Sequence, residues 1–129
     1  MIEFYLDAKS GVAPYLQLVQ QVRRALKLGT LREGDQLPTV REVVASIAIN
    51  PNTVFKAYRE LEHEGLVAGR AGVGTFVTAA TSDTQLAPLE PLRHDLEQWL
   101  VRARAAGLDH DIIEALFRDT FRSTALVES

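Results

Sequence analysis

The residues with chemistry to offer gather between Leu37 and Val77, and their types suit contact with a polyanion better than bond making. Asn50, Asn52, Thr53, Lys56 and Arg59 follow closely on one another, and Arg70 stands soon after among Gly69, Gly72 and Gly74. In a major groove an asparagine amide pairs with adenine and a lysine meets guanine or phosphate. Catalytic constellations are missing from the sequence, which holds no cysteine, no GxSxG elbow, no Walker loop and no HExxH pair. Glycines 69, 72 and 74 follow a strand-like run but do not open a helix, so they do not form a nucleotide cradle. His94 with Glu97, and His110 with Glu114, have helical spacing. A metal site takes three or four converging ligands, so neither a metal nor a cofactor is expected.

Local pattern says how these residues are positioned. Thr39-Val40-Arg41-Glu42 has capping-box spacing, the hydroxyl accepting from the Glu42 amide while the carboxylate reaches back. Val40, Val43, Val44, Ile47 and Ala48 then form one apolar stripe, which ends at Ile49. Asn50 and Pro51 open a second helix as N-cap and first helical residue. Val54, Ala57, Tyr58 and Leu61 share the face that should pack inward. At about 100° per residue, Asn52, Lys56, Arg59 and His63 fall opposite, with Thr53 and Phe55 on the flanks. No acid precedes Glu60 in this helix, while Glu60, Glu62 and Glu64 crowd its end. Only the front half therefore suits a phosphate surface. By itself the pattern also fits a plain solvated amphipathic helix.

The residues just beyond this helix narrow the choice. Gly65 suits a left-handed helix end. Leu66-Val67-Ala68 and Thr75-Phe76-Val77 then flank a loop, Gly69 to Gly74, in which Arg70 is the only charge. A helix-turn-helix followed by such a hairpin is a winged helix, whose wing tip meets the phosphate backbone or the minor groove. The expected DNA-binding set is Thr39, Arg41, Asn50, Pro51, Asn52, Thr53, Lys56, Arg59, Arg70, Gly72 and Gly74. The competing reading is a winged-helix protein-interaction module without operator binding; cations at Lys56, Arg59 and Arg70 on one surface speak against it.

Three pieces in order carry a family resemblance: Leu37-Pro38-Thr39-Val40-Arg41, Leu61-Glu62-His63-Glu64-Gly65-Leu66-Val67, and Gly72-Val73-Gly74-Thr75-Phe76-Val77. Together they resemble the DNA-binding domain of the GntR family of bacterial transcription regulators. The common family form carries arginines where this chain has Pro51 and Phe55. Asn50-Pro51-Asn52-Thr53-Val54 with Ala57-Tyr58-Arg59-Glu60-Leu61 looks like the YtrA-type subfamily instead, as does Gly11-Val12-Ala13-Pro14-Tyr15-Leu16-Gln17. The resemblance implies a dimeric regulator, acting as a repressor, and a different operator from that of arginine-bearing members.

The remainder of the chain has to support this unit. Its 129 residues allow one domain of ~80 residues and an appendage. No apolar run nears the ~20 residues of a membrane helix and no secretory leader opens the chain, so a cytoplasmic protein is expected. The net charge of −3 resolves by segment: nine Lys and Arg against eight Asp and Glu in residues 1–80, five against nine in 81–129. Local charge decides phosphate contact, and the acidity lies in the tail. Residues 2–7 alternate and are expected to form a short strand pairing with the wing. Pro14 should open a scaffold helix to about Leu28, with Tyr15, Leu18, Val19, Val22 and Leu26 inward and Gly29 at its end. Arg23, Arg24 and Lys27 read as a solvated face, and Leu31 to Gln36 as a loop.

The expected fold class is mainly α with a small β-hairpin: a winged helix-turn-helix domain over 1–78, a linker over 79–91, and a helical region over 92–129. The last should hold two helices, one striped by Leu92, Leu96, Trp99, Leu100 and Ala103 and ending at Gly107, the other capped by Asp109 and striped by Ile112, Ile113, Leu116, Phe117 and Phe121. Two helices alone cannot bury so many large side chains, each worth about 1.5–3 kcal/mol when covered. A second copy is the simplest cover, giving a four-helix homodimer through Leu92, Leu96, Trp99, Leu100, Ile113, Leu116, Phe117 and Phe121. Packing onto the chain's own head is the alternative. Some 50 residues is too short for a large effector domain, which leaves room only for an unidentified small-molecule effector between dimer helices. Expected partners are thus double-stranded DNA, a second copy and such an effector, with no membrane.

Overall fold

The computed structural model describes residues 2–80 and 89–128, with side chains as far as 125. The chain divides into two compact units, Met1–Leu86 and Ala87–Ser129. In the first, α1 (Pro14–Leu28), α2 (Val40–Ile47) and α3 (Pro51–His63) precede an antiparallel hairpin of β1 (Val67–Arg70) and β2 (Gly74–Val77). In the second, α4 (Leu89–Ala105) and α5 (His110–Glu128) follow each other across a turn at Gly107.

The core of the first unit is where the apolar periodicity puts it. Leu18, Val19 and Val22 of α1 and Val54, Ala57 and Leu61 of α3 are shut away from solvent, and Leu37, Val43, Val67 and Val77 close the cluster. Thr39 caps α2 through the full reciprocal box with Glu42. The α2 stripe is one residue shorter than its periodicity suggested. Ala48 is exposed and left-handed, φ 52°, and ends the helix so that Ile49 can turn inward.

Residues 2–7 form no strand and do not pair with the wing. Their backbone is held instead by two buried glutamines of α1. Gln21 accepts from Tyr5 N (3.1 Å) and donates to Tyr5 O (2.8 Å), and Gln17 accepts from Asp7 N (2.8 Å) and donates to Asp7 O (3.0 Å). A side-chain amide offers the same donor and acceptor as a peptide group, so it satisfies an extended segment as a neighbouring strand would. The wing finds its third partner elsewhere. Residues 34–37, expected to be only a loop, lie along β2: Leu37 N donates to Thr75 O, Val77 N to Asp35 O and Gly34 N to Val77 O, at 2.8–2.9 Å.

The hairpin turn is tighter than the Gly69–Gly74 loop expected, because Gly69, Arg70 and Gly74 belong to the strands and only residues 71–73 connect them. Of the linker expected over 79–91, residues 81–88 lie outside the described residues, and Leu89–Pro91 are already in α4. No helix among the described residues is long and apolar enough to cross a membrane.

Candidate nucleic-acid interface

The turn between α2 and α3 sets the aim of α3. Asn50 caps the helix with its Oδ1, which accepts from Asn52 N at 2.8 Å, and Pro51 supplies the first helical residue without a spare N–H. The Asn50 oxygen is therefore committed to the backbone. A bidentate pair with adenine takes both ends of an amide; the Asn50 oxygen is occupied by the cap, whereas Asn52 is exposed. Thr39 is committed in the same way, since its hydroxyl meets both the Glu42 amide and carboxylate at 3.1 Å.

Beneath this surface Tyr58 fixes the spacing of α3 from the entrance of α2. Its buried hydroxyl donates to Pro38 O at 2.5 Å. Burial, and secondarily the Glu42 carboxylate, hold the phenol well above its ordinary range, so it remains a neutral donor. On the far side Arg23 of α1 grips Glu64 just beyond α3 at 2.6 Å. One of the three acids at the rear of α3 is thereby neutralised, and Arg23 has a structural partner.

Two shallow depressions collect the expected residues. A cleft of about 280 Å³ lies between Thr39 and Val40 of the α2 entrance, Phe55, Arg59 and Glu62 of α3, and Gly74 and Thr75 of β2. A second, of about 470 Å³, runs along the wing from Gly69 through Arg70 and Gly72 to Thr75 and shares Thr39. The structure thus brings Thr39, Arg59 and Gly74 around one hollow and Thr39, Arg70, Gly72 and Gly74 around the next. Lys56 lines neither: its ammonium sits 4.0 Å over the Tyr15 ring of α1, on another flank of α3. Arg59 and Arg70 each border a hollow next to the wing, while the Lys56 ammonium rests on Tyr15. Arg41, Asn52 and Pro51 are exposed on the opening turns of α2 and α3, and Thr53 is half-buried. Arg70 leans on Phe76, 5.0 Å from its ring centre.

Phe55 and Glu62 border the cleft and Tyr15 meets Lys56, although none of the three is in the expected DNA-binding set. Phe55 stood outside the apolar stripe of α3 and was therefore visible as an aromatic with no core to join; Tyr15 was read as core alone, yet it is half-exposed and holds Lys56.

In the second unit Leu96, Trp99, Leu100, Ile113 and Phe117 line one groove of about 510 Å³, with Arg104, His110 and Glu114 on its walls. Leu92, Leu116 and Phe121 lie in solvent outside it, and Phe121 is stacked 6.1 Å from Phe117. The Asp109 cap forms, its Oδ1 accepting from Ile112 N at 2.9 Å. Glu114 pairs with Arg118 at 2.7 Å and stands 3.3 Å from His110. Among the described residues no three His, Asp or Glu side chains converge as metal ligands do.

Comparison with known proteins gives the family and the fold. Residues 14–77 match the family described as bacterial regulatory proteins, gntR family. The chain is 34% identical to the HTH-type transcriptional repressor YtrA of Bacillus subtilis, over 88% of this chain and 92% of that one. It superposes on YtrA from Sulfolobus acidocaldarius, a GntR-family transcription factor, with a TM-score of 0.55 and 27% identity, covering 98% of this chain and all of that one. A transcriptional antiterminator from Listeria monocytogenes gives a TM-score of 0.57 at 30% identity, over 92% and 90% of the two chains.

Proposed function

The chain belongs to the gntR family of bacterial regulatory proteins, DNA-binding transcription regulators rather than enzymes, and on that premise we propose a homodimeric repressor that occupies a palindromic operator and leaves it when a small effector binds. The observation that carries this reading is the shared surface of α2, α3 and wing. Thr39, Arg59 and Gly74 border one cleft, Arg70 and Gly72 the next, and the front of α3 carries Asn52 with no acid before Glu60. In this reading α3 enters a major groove by its N-terminal half, Arg41 and Lys56 meet the flanking phosphates, and the wing follows the backbone.

Pairing of two copies is supported by the unpartnered face of α4 and α5. Leu92 is 61% exposed and Phe121 68%, although covering each would stabilise the protein by about 1.5–3 kcal/mol. A partner's helices laid into the Leu96–Phe117 groove bury this surface, and Arg104, His110 and Glu114 at its wall offer polar contacts to a small ligand. A cytoplasmic location accords with this role.

Selection of bound sequences from a random duplex pool, followed by footprinting, tests the reading. Two protected half-sites of inverted sequence, centred about one helical turn apart, are expected. Enrichment of no sequence, or protection of one asymmetric half-site by a monomer, would contradict it.

A further inference from the structure

Among the described residues Phe55 is the only large apolar side chain of α3 that stays in solvent, with 51% of its surface exposed. It stands four residues before Arg59 on the wing side of the helix, at the edge of the cleft shared with Thr39, Gly74 and Thr75. The core does not use it, because Val54, Ala57, Tyr58 and Leu61 fill the inward face. Among the described residues its ring stacks on no other aromatic, whereas Phe4 has Tyr58 and Phe117 has Phe121. An uncommitted aromatic on the half of α3 that carries Asn52 is out of place on a surface built only for phosphate.

The major-groove edge of a base pair carries one apolar group, the C5 methyl of thymine, and a phenyl ring is among the side chains that meet it. We propose that Phe55 is a specificity-determining residue that packs against a thymine methyl in each operator half-site. This rests on the operator-binding reading above. Phenyl has no donor or acceptor, so the preference comes from the methyl alone. Cytosine and uracil are rejected by the loss of apolar contact, while 5-methylcytosine is accepted. Asn52 and Arg59, to either side, supply the polar contacts that fix the register over that base.

The operator enriched by the wild-type chain is resynthesised with deoxyuridine in place of each thymine in turn, which deletes only the methyl, and affinities are read by fluorescence anisotropy. One position per half-site should lose about fourfold, the worth of one buried methyl. Phe55→Ala should bind the thymine operator more weakly and show no thymine–deoxyuridine difference there. Phe55→Leu should keep part of that difference. Phe55 is exposed, so these variants test contact rather than folding, and unchanged circular dichroism checks it. Equal wild-type affinity for every deoxyuridine operator would overturn the proposal while leaving operator binding intact, as would methyl sensitivity that survives in Phe55→Ala. Failure of the wild-type chain to enrich any sequence would remove the premise and the proposal together.

Discussion

The Lys56 ammonium rests 4.0 Å above the ring of Tyr15, so a cation of α3 is steered by a residue at the start of α1. A lysine held over an aromatic face loses less side-chain freedom on meeting phosphate, and the contact is worth about 0.5–1 kcal/mol at an exposed site. That geometry favours a backbone role for Lys56 over a base contact.

Lys56→Ala should accordingly weaken operator and random duplex by the same factor and reduce the salt slope of binding by about one. Tyr15→Leu should cost about two- to fivefold in affinity, and Tyr15→Phe nearly nothing. A change in the ratio of specific to random binding in Lys56→Ala would instead make it a base-reading residue.

Gly74 has φ of +141°, and a Cβ added there would lie 2.5 Å from Gln36 Nε2. Gly74→Ala should lower stability by about 1–3 kcal/mol, seen as a lower urea midpoint. The Gln36 amide can swing aside, so Gln36→Ala should relieve the clash but not the backbone strain. A full rescue by that second change would place the whole cost in the contact.

Gln17 and Gln21 are buried polar groups that hold residues 5–12. Gln17→Leu leaves the Asp7 amide and the Val12 carbonyl without this partner and the Asp7 carbonyl with the Ser10 amide alone, at about 1–3 kcal/mol for each group that water does not reach. Faster hydrogen exchange at the Asp7 amide, with α3 amides still protected, is the expected pattern. Unchanged exchange would show that the Gln17 bonds do not hold the segment, leaving it to Gln21 and Phe4.

Tyr58 links stability to alkaline pH. Its folded pKa is raised above the ordinary value of 10.0, first by burial and then by Glu42, so the folded state favours the protonated phenol. This contribution is fully present below the unfolded pKa and is lost as pH climbs toward the folded one. The wild type should lose more stability than Tyr58→Phe between about pH 9 and about pH 11. At neutral pH the variant should be less stable by about 1 kcal/mol, for the lost bond to Pro38 O. Parallel pH profiles would detach the phenol from the effect.

Phe117→Glu places a charge in the groove of the second unit. Sedimentation should show wild-type dimers and variant monomers, with operator affinity falling as the second half-site is lost. A variant that remains dimeric would move the interface to another face.

Much of this was legible beforehand where a local rule has one physical solution. Thr39 with Glu42, and Asn50 with Pro51, satisfy helix-end amides that nothing else nearby can satisfy, so both helix starts were readable to the residue. The four inward residues of α3 were equally plain. Residues 2–7 misled because alternation reports a half-buried extended chain and is silent on whether a strand or a glutamine amide completes it. Residues 34–37 misled the other way, since Gly34-Asp35 reads as a turn whatever its neighbours do. The α2 stripe ran on to Ala48 because an alanine rarely adopts a left-handed φ and nothing local announces one. Lys56 rests on Tyr15 and Arg70 on Phe76, and the neighbour a side chain meets is not contained in the spacing along α3.

Gln36 joins the segment before α2 to the tip of the hairpin. It bridges to Phe76, its amide donates to Val73 O at 3.3 Å, and Leu37 N beside it binds Thr75 O at 2.8 Å. The β-loop is thus a lever whose fulcrum is the threshold of the helix-turn-helix. It cannot swing by itself without unzipping this seam, so any displacement of the hairpin is felt at the start of α2.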